Sequence, residues 1–395
     1  MAGDNVMAGR ERFTLGILSK RIPGNGDRPF GSPTGFFEEC SAAAEVLHMN
    51  LIVFDAGDMD MNTSCISASR FEFGRWSDSV PSGIPDIIYD RAPLFDPAYS
   101  PLADQVRSRF TKSGIPFVNP TAFLRFAGDK LETYKQLRSA GIRVPETAAC
   151  SPASLELMFE RSGQFFLKPR NGSNGAGIIE VQRTSGNQIQ LRYQACLFTV
   201  NTMAQLVRPA SVITRNRLFE KGVYLVQQGI SSELPHRRRY PQFDLRAIVQ
   251  KNSIQAWEVT GIVARVAARG SATTNLSTGA RAEEPEPVLG RGDGRKTAEG
   301  MLSDIEIICI SLCSYLDQKV CRFGELGVDI IIDENANSVV LEVNAKPGRA
   351  SFKRIAFSED VSEETRKRYR DIRLRSVSIP IHYAYALAAS RWASP

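Results

Sequence analysis

The chain has 395 residues, enough for two or three domains around one active site. Its 43% apolar and 23% charged residues are the balance of an ordinary folded protein, which excludes a fibrous or disordered chain. A formal net charge of +6 suits an anionic small-molecule ligand and is too weak to argue for nucleic acid unless concentrated in one place.

Residues 1–12 are polar and read as loose, and they lack the charged-then-apolar pattern of a signal peptide. No stretch is apolar and long enough to span a membrane, so a cytoplasmic protein is expected. Phe13–Leu18 reads as a first strand, Phe36–Met49 has helical periodicity, and Asn50–Asp55 is a second strand. Strand, helix, strand with short connectors suggests parallel α/β pairing. A third strand at Asp86–Asp90, a helix over Ala103–Ser113 and a strand at Pro116–Asn119 complete a small α/β domain, residues 1–120.

Within Thr121–Ala140 a helix is expected from Asp129, stopped by Gly141 and Pro145. Lys130 in its first turn is by default an exposed helix lysine. After a helix at Pro152–Arg161 comes Phe165–Glu180, FFLKPRNGSNGAGIIE. Phe165–Leu167 reads as a buried strand ending on Lys168, and Ile178–Val181 as the returning strand of a hairpin. Between them Gly172, Ser173, Gly175 and Gly177 form a flexible loop whose N–H groups suit phosphate oxygens, with Lys168 as a compact charge. Taken alone, this stretch reads better as a plain Gly/Asn hairpin turn. It is neither a Walker loop nor a dinucleotide fingerprint, because a strand and not a helix follows.

Gln182–Met203 looks like further hairpin, and Glu220–Ile230 is a strand, with a division at 225 between a middle subdomain, 121–225, and a last one, 226–395. Asp244–Gln250 and Gln255–Val266 form an antiparallel hairpin about a short turn. The basic run His236–Arg239 reads as a solvated loop, and Ala282–Arg295, rich in Pro, Gly and opposed charges, as a mobile one. Ala298–Gln318 is a long amphipathic helix with Leu302, Ile305, Ile308, Cys309, Leu312 and Leu316 on one stripe. The seven cysteines, odd in number and without CxxC spacing, read as reduced, buried thiols. His48, His236 and His382 sit in no catalytic motif.

The other chemical stretch is Glu325–Ala350. Val328–Ile332 is a strand, Glu334–Asn337 a turn and Ser338–Asn344 the return strand. Glu342 and Asn344 are two apart, so both project from one face, and Asp329 on the partner strand can approach it. Two carboxylates and an amide are hard ligands suited to Mg²⁺; the alternative is a hairpin whose polar residues face water.

In that order, Lys130, Lys168 with its glycine loop, Gln227-Gln228, and Asp329 with Glu342-X-Asn344 resemble the ATP-grasp superfamily, YheC/YheD-like group. The strings DLRAIVQ, TNLSTG and LEVNAKPG carry the resemblance, which runs from Phe13 to about Ile355. It implies an α/β and α+β protein, an N-terminal pre-ATP-grasp α/β domain followed by two subdomains that clamp ATP between their sheets. By this resemblance Lys130 and Lys168 contact the α- and β-phosphates, the Gln228 and Ile230 backbone reads adenine, and Glu233 binds the ribose. Arg265 and Asn275 lie beside the γ-phosphate and the acyl phosphate, and Asp329, Glu342 and Asn344 hold one or two Mg²⁺. Several such ligases carry a further arginine where this chain has Thr273, so Arg246, Arg269 and Arg349 are candidates for the missing cation. The expected reaction is ADP-forming ligation of a small-molecule or peptide carboxylate to an amine, without nucleic-acid or membrane partners and with a homodimer left open. Some members of the group are described only as spore-coat-associated, which leaves a nucleotide-binding structural role as the rival.

Overall fold

A computed structural model describes residues 12–393 apart from 78, 173–174, 195, 231–241, 269–270, 272, 277–278 and 291–295. Ser173, Glu233, Arg269, the run His236–Arg239 and residues 1–11 therefore lie outside the described residues.

The first sheet contains β1 (Thr14–Leu18), β2 (Asn50–Phe54), β3 (Ile87–Asp90) and β4 (Phe117–Val118), in the order β2-β1-β3-β4. All its pairs are parallel, as the strand–helix–strand spacing implies. Such a sheet needs cover on both faces. Helix α1 (Thr34–Val46) lies on one face, and α2 (Ser100–Lys112) on the other, with Val106 and Phe110 against Ile88 and Phe54. The segment between β2 and β3 carries two short ribbons not apparent from its pattern, Ile66–Ala68 with Val80–Ser82 and Phe71–Glu72 with Arg75–Trp76.

Helices α3 (Thr121–Gly128) and α4 (Lys130–Ser139) lead into the second sheet. Asp129 separates them as the α4 N-cap, accepting from the Glu132 N–H at 3.2 Å, and Arg170 grips the same carboxylate at 2.7 and 2.6 Å. The second sheet is antiparallel. It comprises β5 (Thr147–Ala149), β6 (Gln164–Pro169), β7 (Ile179–Arg183), β8 (Ile189–Tyr193), β9 (Cys196–Val200) and β10 (Tyr224–Gln228), ordered β9-β8-β7-β6-β10-β5. Only one face is apolar, and α5 (Pro152–Arg161) and α6 (Met203–Ile213) cover it through Leu155, Met158, Leu206 and Ala210.

The third sheet runs β13-β12-β11-β14-β15: β11 (Phe243–Lys251), β12 (Trp257–Val266), β13 (Arg281–Glu283), β14 (Glu325–Ile332) and β15 (Ser338–Asn344). The long helix α8 (Ala298–Lys319) packs on one face, burying Met301, Ile305, Cys309, Leu312, Cys313 and Leu316. Residues 282–289 of the expected mobile loop are ordered: β13 is followed by the short helix α7 (Pro285–Leu289). Pro285 sits at its first turn, where no N–H is needed, and Val288 and Leu289 are buried in the core. Local Pro and charge content had masked those two apolar anchors. The other face of the sheet meets α9 (Ala350–Ala356) and the C-terminal helix α10 (Glu363–Ala393). That helix also sends Val377, Ile381, Ala384 and Ala388 into the core of the first sheet.

A buried polar knot fastens the first sheet to the third. The fully buried Glu325 accepts from Tyr89 Oη at 2.8 Å, Arg91 at 3.1 Å, Gln250 at 3.2 Å and Arg349 at 2.6 Å. Lys346 reaches Asp90 at 2.7 Å, which Arg107 also holds at 2.7 Å. All seven cysteines are free, yet Cys65 and Cys196 are exposed, against the expectation of burial, because Cys65 lies in the loop before a short ribbon strand and Cys196 opens an edge strand. Among the described residues no helix is long and apolar enough to cross a membrane.

Candidate active site

Strand alternation builds the two walls of the site. On β6, Phe165 and Leu167 enter the core while Gln164, Phe166 and Lys168 face the other way. Glu180 and Gln182 of β7 and Arg192 of β8 continue that wall. Across from it stand Asp244 of β11, Arg265 of β12, Asp329 and Ile331 of β14, and Leu341 and Glu342 of β15. Thr273, Thr274 and Asn275 lie between, and the half-open cavity measures about 390 Å³. Leu341 and Glu342 both line it despite being neighbours, because a bulge breaks the register between Asp329 and Ile330.

Helix α4 stands at one end as a wedge. Lys130 and Tyr134, one turn apart, share its buried face. Lys130 is therefore not an exposed helix lysine: it is 7% exposed, donates to the Gly172 carbonyl at 2.7 Å and lies 3.4 Å from Glu342 Oε1. Lys168 donates to Tyr134 Oη at 2.9 Å. Burial lowers its pKa to about 8, against the opposing pull of the Glu342 and Asp329 carboxylates. Gly172, Gly175 and Gly177 all have positive φ, and a Cβ on Gly175 would collide with the Asn275 side chain. The glycine loop thus meets the connection between β12 and β13 at Asn275.

Where β10 ends, Gln227, Gln228 and Ile230 line the cavity. The Gln228 N–H donates to the Glu146 carbonyl at 2.9 Å, which leaves its carbonyl, not its N–H, for a ligand. Gln227 donates from Nε2 to Thr147 Oγ1 at 2.8 Å.

The charge centre is a chain of alternating signs. Arg265 grips Asp244 at 2.6 and 2.5 Å and reaches Asp329 at 3.1 Å, while Arg246 holds Asp329 through two bonds, one of 2.9 Å. Thr274 donates to Asp244 as well. Burial disfavours the Asp329 anion, but Arg246 and Arg265 outweigh that and bring its pKa down to about 2. Asp329 pairs directly with Glu342 across the strands, and Asn344 Nδ2 lies 3.4 Å from Asp329 Oδ2. The expected trio therefore shares one face. Among the described residues no cluster of three Asp, Glu, His or Cys side chains forms, so a cation here would rest on two carboxylates and an amide. These are hard oxygen donors, with at least one carboxylate ionised at every physiological pH, and they would fit Mg²⁺.

The YheC/D like ATP-grasp family model matches residues 114–387. The chain belongs to that family. It is 25% identical over 348 residues to the endospore coat-associated protein YheD of Bacillus subtilis (strain 168), covering 86% of this chain and 73% of that protein. It is 24% identical over 363 residues to the endospore coat-associated protein YheC of the same strain, covering 87% and 91%. Among solved structures, the VanG D-Ala:D-Ser ligase from Enterococcus faecalis aligns with a TM-score of 0.54 at 14% identity, over 94% of this chain and 99% of that one. Fold and family together are ATP-grasp.

Within this YheC/D-like chain, one of the three arginine candidates is removed from the site. Arg349 is spent on Glu325 and on the Ser376 carbonyl, 2.9 Å away, and does not line the cavity. Arg246 does not line the cavity either, but it reaches the charge centre through Asp329. Sequence reasoning missed Tyr134, Asp244 and Thr274. Asp244 had a signal, since it shares a strand face with Arg246 in an otherwise apolar run; Tyr134 had one too, four residues after Lys130.

Proposed function

We propose that this protein is an ATP-dependent carboxylate–amine ligase that forms an amide through an acyl phosphate. The observation that carries it is the meeting, in one cavity, of the buried Lys168 with the Arg265–Asp244–Asp329 chain and the opposed Asp329 and Glu342 carboxylates, with the buried Lys130 beside them 3.4 Å from Glu342. In this reading Lys130, Lys168 and the glycine loop bind the phosphates, and the carbonyl of Gln228 and the N–H of Ile230 face the base. Glu233 takes the ribose. Asp329, Glu342 and Asn344 hold one or two Mg²⁺, which when bound neutralise phosphate charge.

A carboxylate oxygen then bonds to the γ-phosphorus as the bridging P–O bond to ADP breaks. The amine nitrogen attacks the acyl carbon, phosphate leaves with the electron pair, and the amine proton passes to solvent. Arg265 and Asn275 flank the transferred phosphoryl group. Asp244 keeps the Arg265 guanidinium in its plane, and Arg246 is the added cation in place of Thr273. Their contribution is positioning and charge stabilisation rather than covalent catalysis. The amine and the acid are small molecules or peptides.

The test is ADP release by the purified protein with Mg²⁺, ATP and panels of carboxylates and amines, with hydroxylamine added to trap acyl phosphate as hydroxamate. Carboxylate-dependent ADP and hydroxamate are expected. The names of YheC and YheD favour a second reading, a nucleotide-binding coat-associated protein. That protein would bind ATP and show no carboxylate-dependent turnover with any panel.

A further inference from the structure

Tyr134 is 4% exposed and joins three elements at the phosphate end of the cavity. Its hydroxyl donates to the Leu341 carbonyl of β15 at 2.7 Å and accepts from Lys168 Nζ of β6 at 2.9 Å. The direction of these bonds is forced. An ammonium can only donate, so the hydroxyl must accept from Lys168 and give its single proton to the carbonyl. The ammonium also stands 5.3 Å from the centre of the tyrosine ring. Leu341 directly precedes Glu342, and Lys168 lies on the opposite wall. One phenol therefore sets the distance between the lysine of the second sheet and the carboxylate strand of the third.

We propose that Tyr134 is a positioning residue that holds Lys168 in register with the Glu342 strand, so that one nucleotide meets both walls at once. This rests on the ligase reading above. Tyrosine→phenylalanine keeps the ring, its packing and its face toward the cation. It removes the acceptor, and it frees Lys168 to swing toward Glu342 and Asp329, the carboxylates already attracting it. The ammonium would then be quenched by protein rather than offered to phosphate.

The experiment is a double-mutant cycle. Binding of a non-hydrolysable ATP analogue with Mg²⁺ is measured by calorimetry for wild type, Tyr134→Phe, Lys168→Met and the double variant, with melting temperatures recorded in parallel. Tyr134→Phe is expected to weaken binding five- to twentyfold in the wild-type background and less than twofold in the Lys168→Met background. Equal weakening in both backgrounds, or none in the first, overturns the proposal, because the tyrosine would then act independently of the lysine. If Lys168→Met binds the analogue as tightly as wild type, the phosphate-site reading fails and takes this proposal with it. The two failures are thus told apart by the single variants.

Discussion

Lys168 gives the sharpest expectation, because its function and its stability point in opposite directions. Burial brings its pKa from 10.5 down to about 8, despite the nearby Glu342 and Asp329 charges. At about 1.4 kcal/mol per pH unit, holding the ammonium in the fold costs about 3 kcal/mol. Replacing it by methionine keeps the aliphatic stem and removes that cost. The loss of a charged hydrogen bond to Tyr134 offsets about 1–2 kcal/mol of the gain. Lys168→Met should therefore be more stable than wild type by about 1–2 kcal/mol in the absence of nucleotide, a rise in Tm of about 1–2 °C for a chain of this length. It should also bind ATP more weakly by about 1.5–3 kcal/mol, the scale of a charge-assisted bond. The sign of the pH dependence follows. Below pH 8 the lysine is charged in both folded and unfolded chains and the cost is felt in full. Between about pH 8 and 10.5 the folded chain has released the proton and the unfolded one has not, so the advantage of methionine shrinks. Calorimetric melting from pH 7 to 10 and nucleotide titration are the assays. A variant less stable than wild type at pH 7, or with unchanged nucleotide affinity, refutes the reasoning.

Three further outcomes are expected. Glu342→Gln should lower ADP formation at least 100-fold with Tm within about 2 °C, since the side chain is partly exposed and carries little stability; near-wild-type turnover would sink the metal assignment. ADP affinity should be flat from pH 6 to 7.5 and weaken above pH 8 by up to about tenfold per unit as Lys168 loses its proton, and Lys168→Arg should flatten the profile. Glu325→Leu should destabilise the chain by about 3–5 kcal/mol, because Arg349, with a side chain only 3% exposed, is left unpaired; a loss under 1 kcal/mol in denaturant unfolding counts against the knot.

What the sequence made legible was whatever spacing alone decides. The strand before Lys168, the returning strand at Ile179 and the shared face of Glu342 and Asn344 depend on period-two alternation and turn chemistry within a few residues. The bidentate grip of Arg265 on Asp244 needed only strand pairing, and the hairpin was already expected, but its register was not. Arg349 and Glu325 are different. Nothing local marks Glu325 as the hub for Tyr89 and Arg91, because those partners arrive from another sheet. Likewise Pro285 and its charged neighbours outweighed Val288 and Leu289, whose burial depends on a helix that follows them.

The C-terminal helix bears on how the molecule comes into being. Ile381 and Ala384 lie in the same core as Leu15 and Ile17, so the first sheet is covered by a helix that begins only at Glu363. Chain synthesis at about 5–20 residues per second leaves that apolar face waiting for roughly ten seconds or more while the intervening residues are made. A chain that stops before Val377 would carry every lining residue of the cavity and still lack part of the cover of its first sheet.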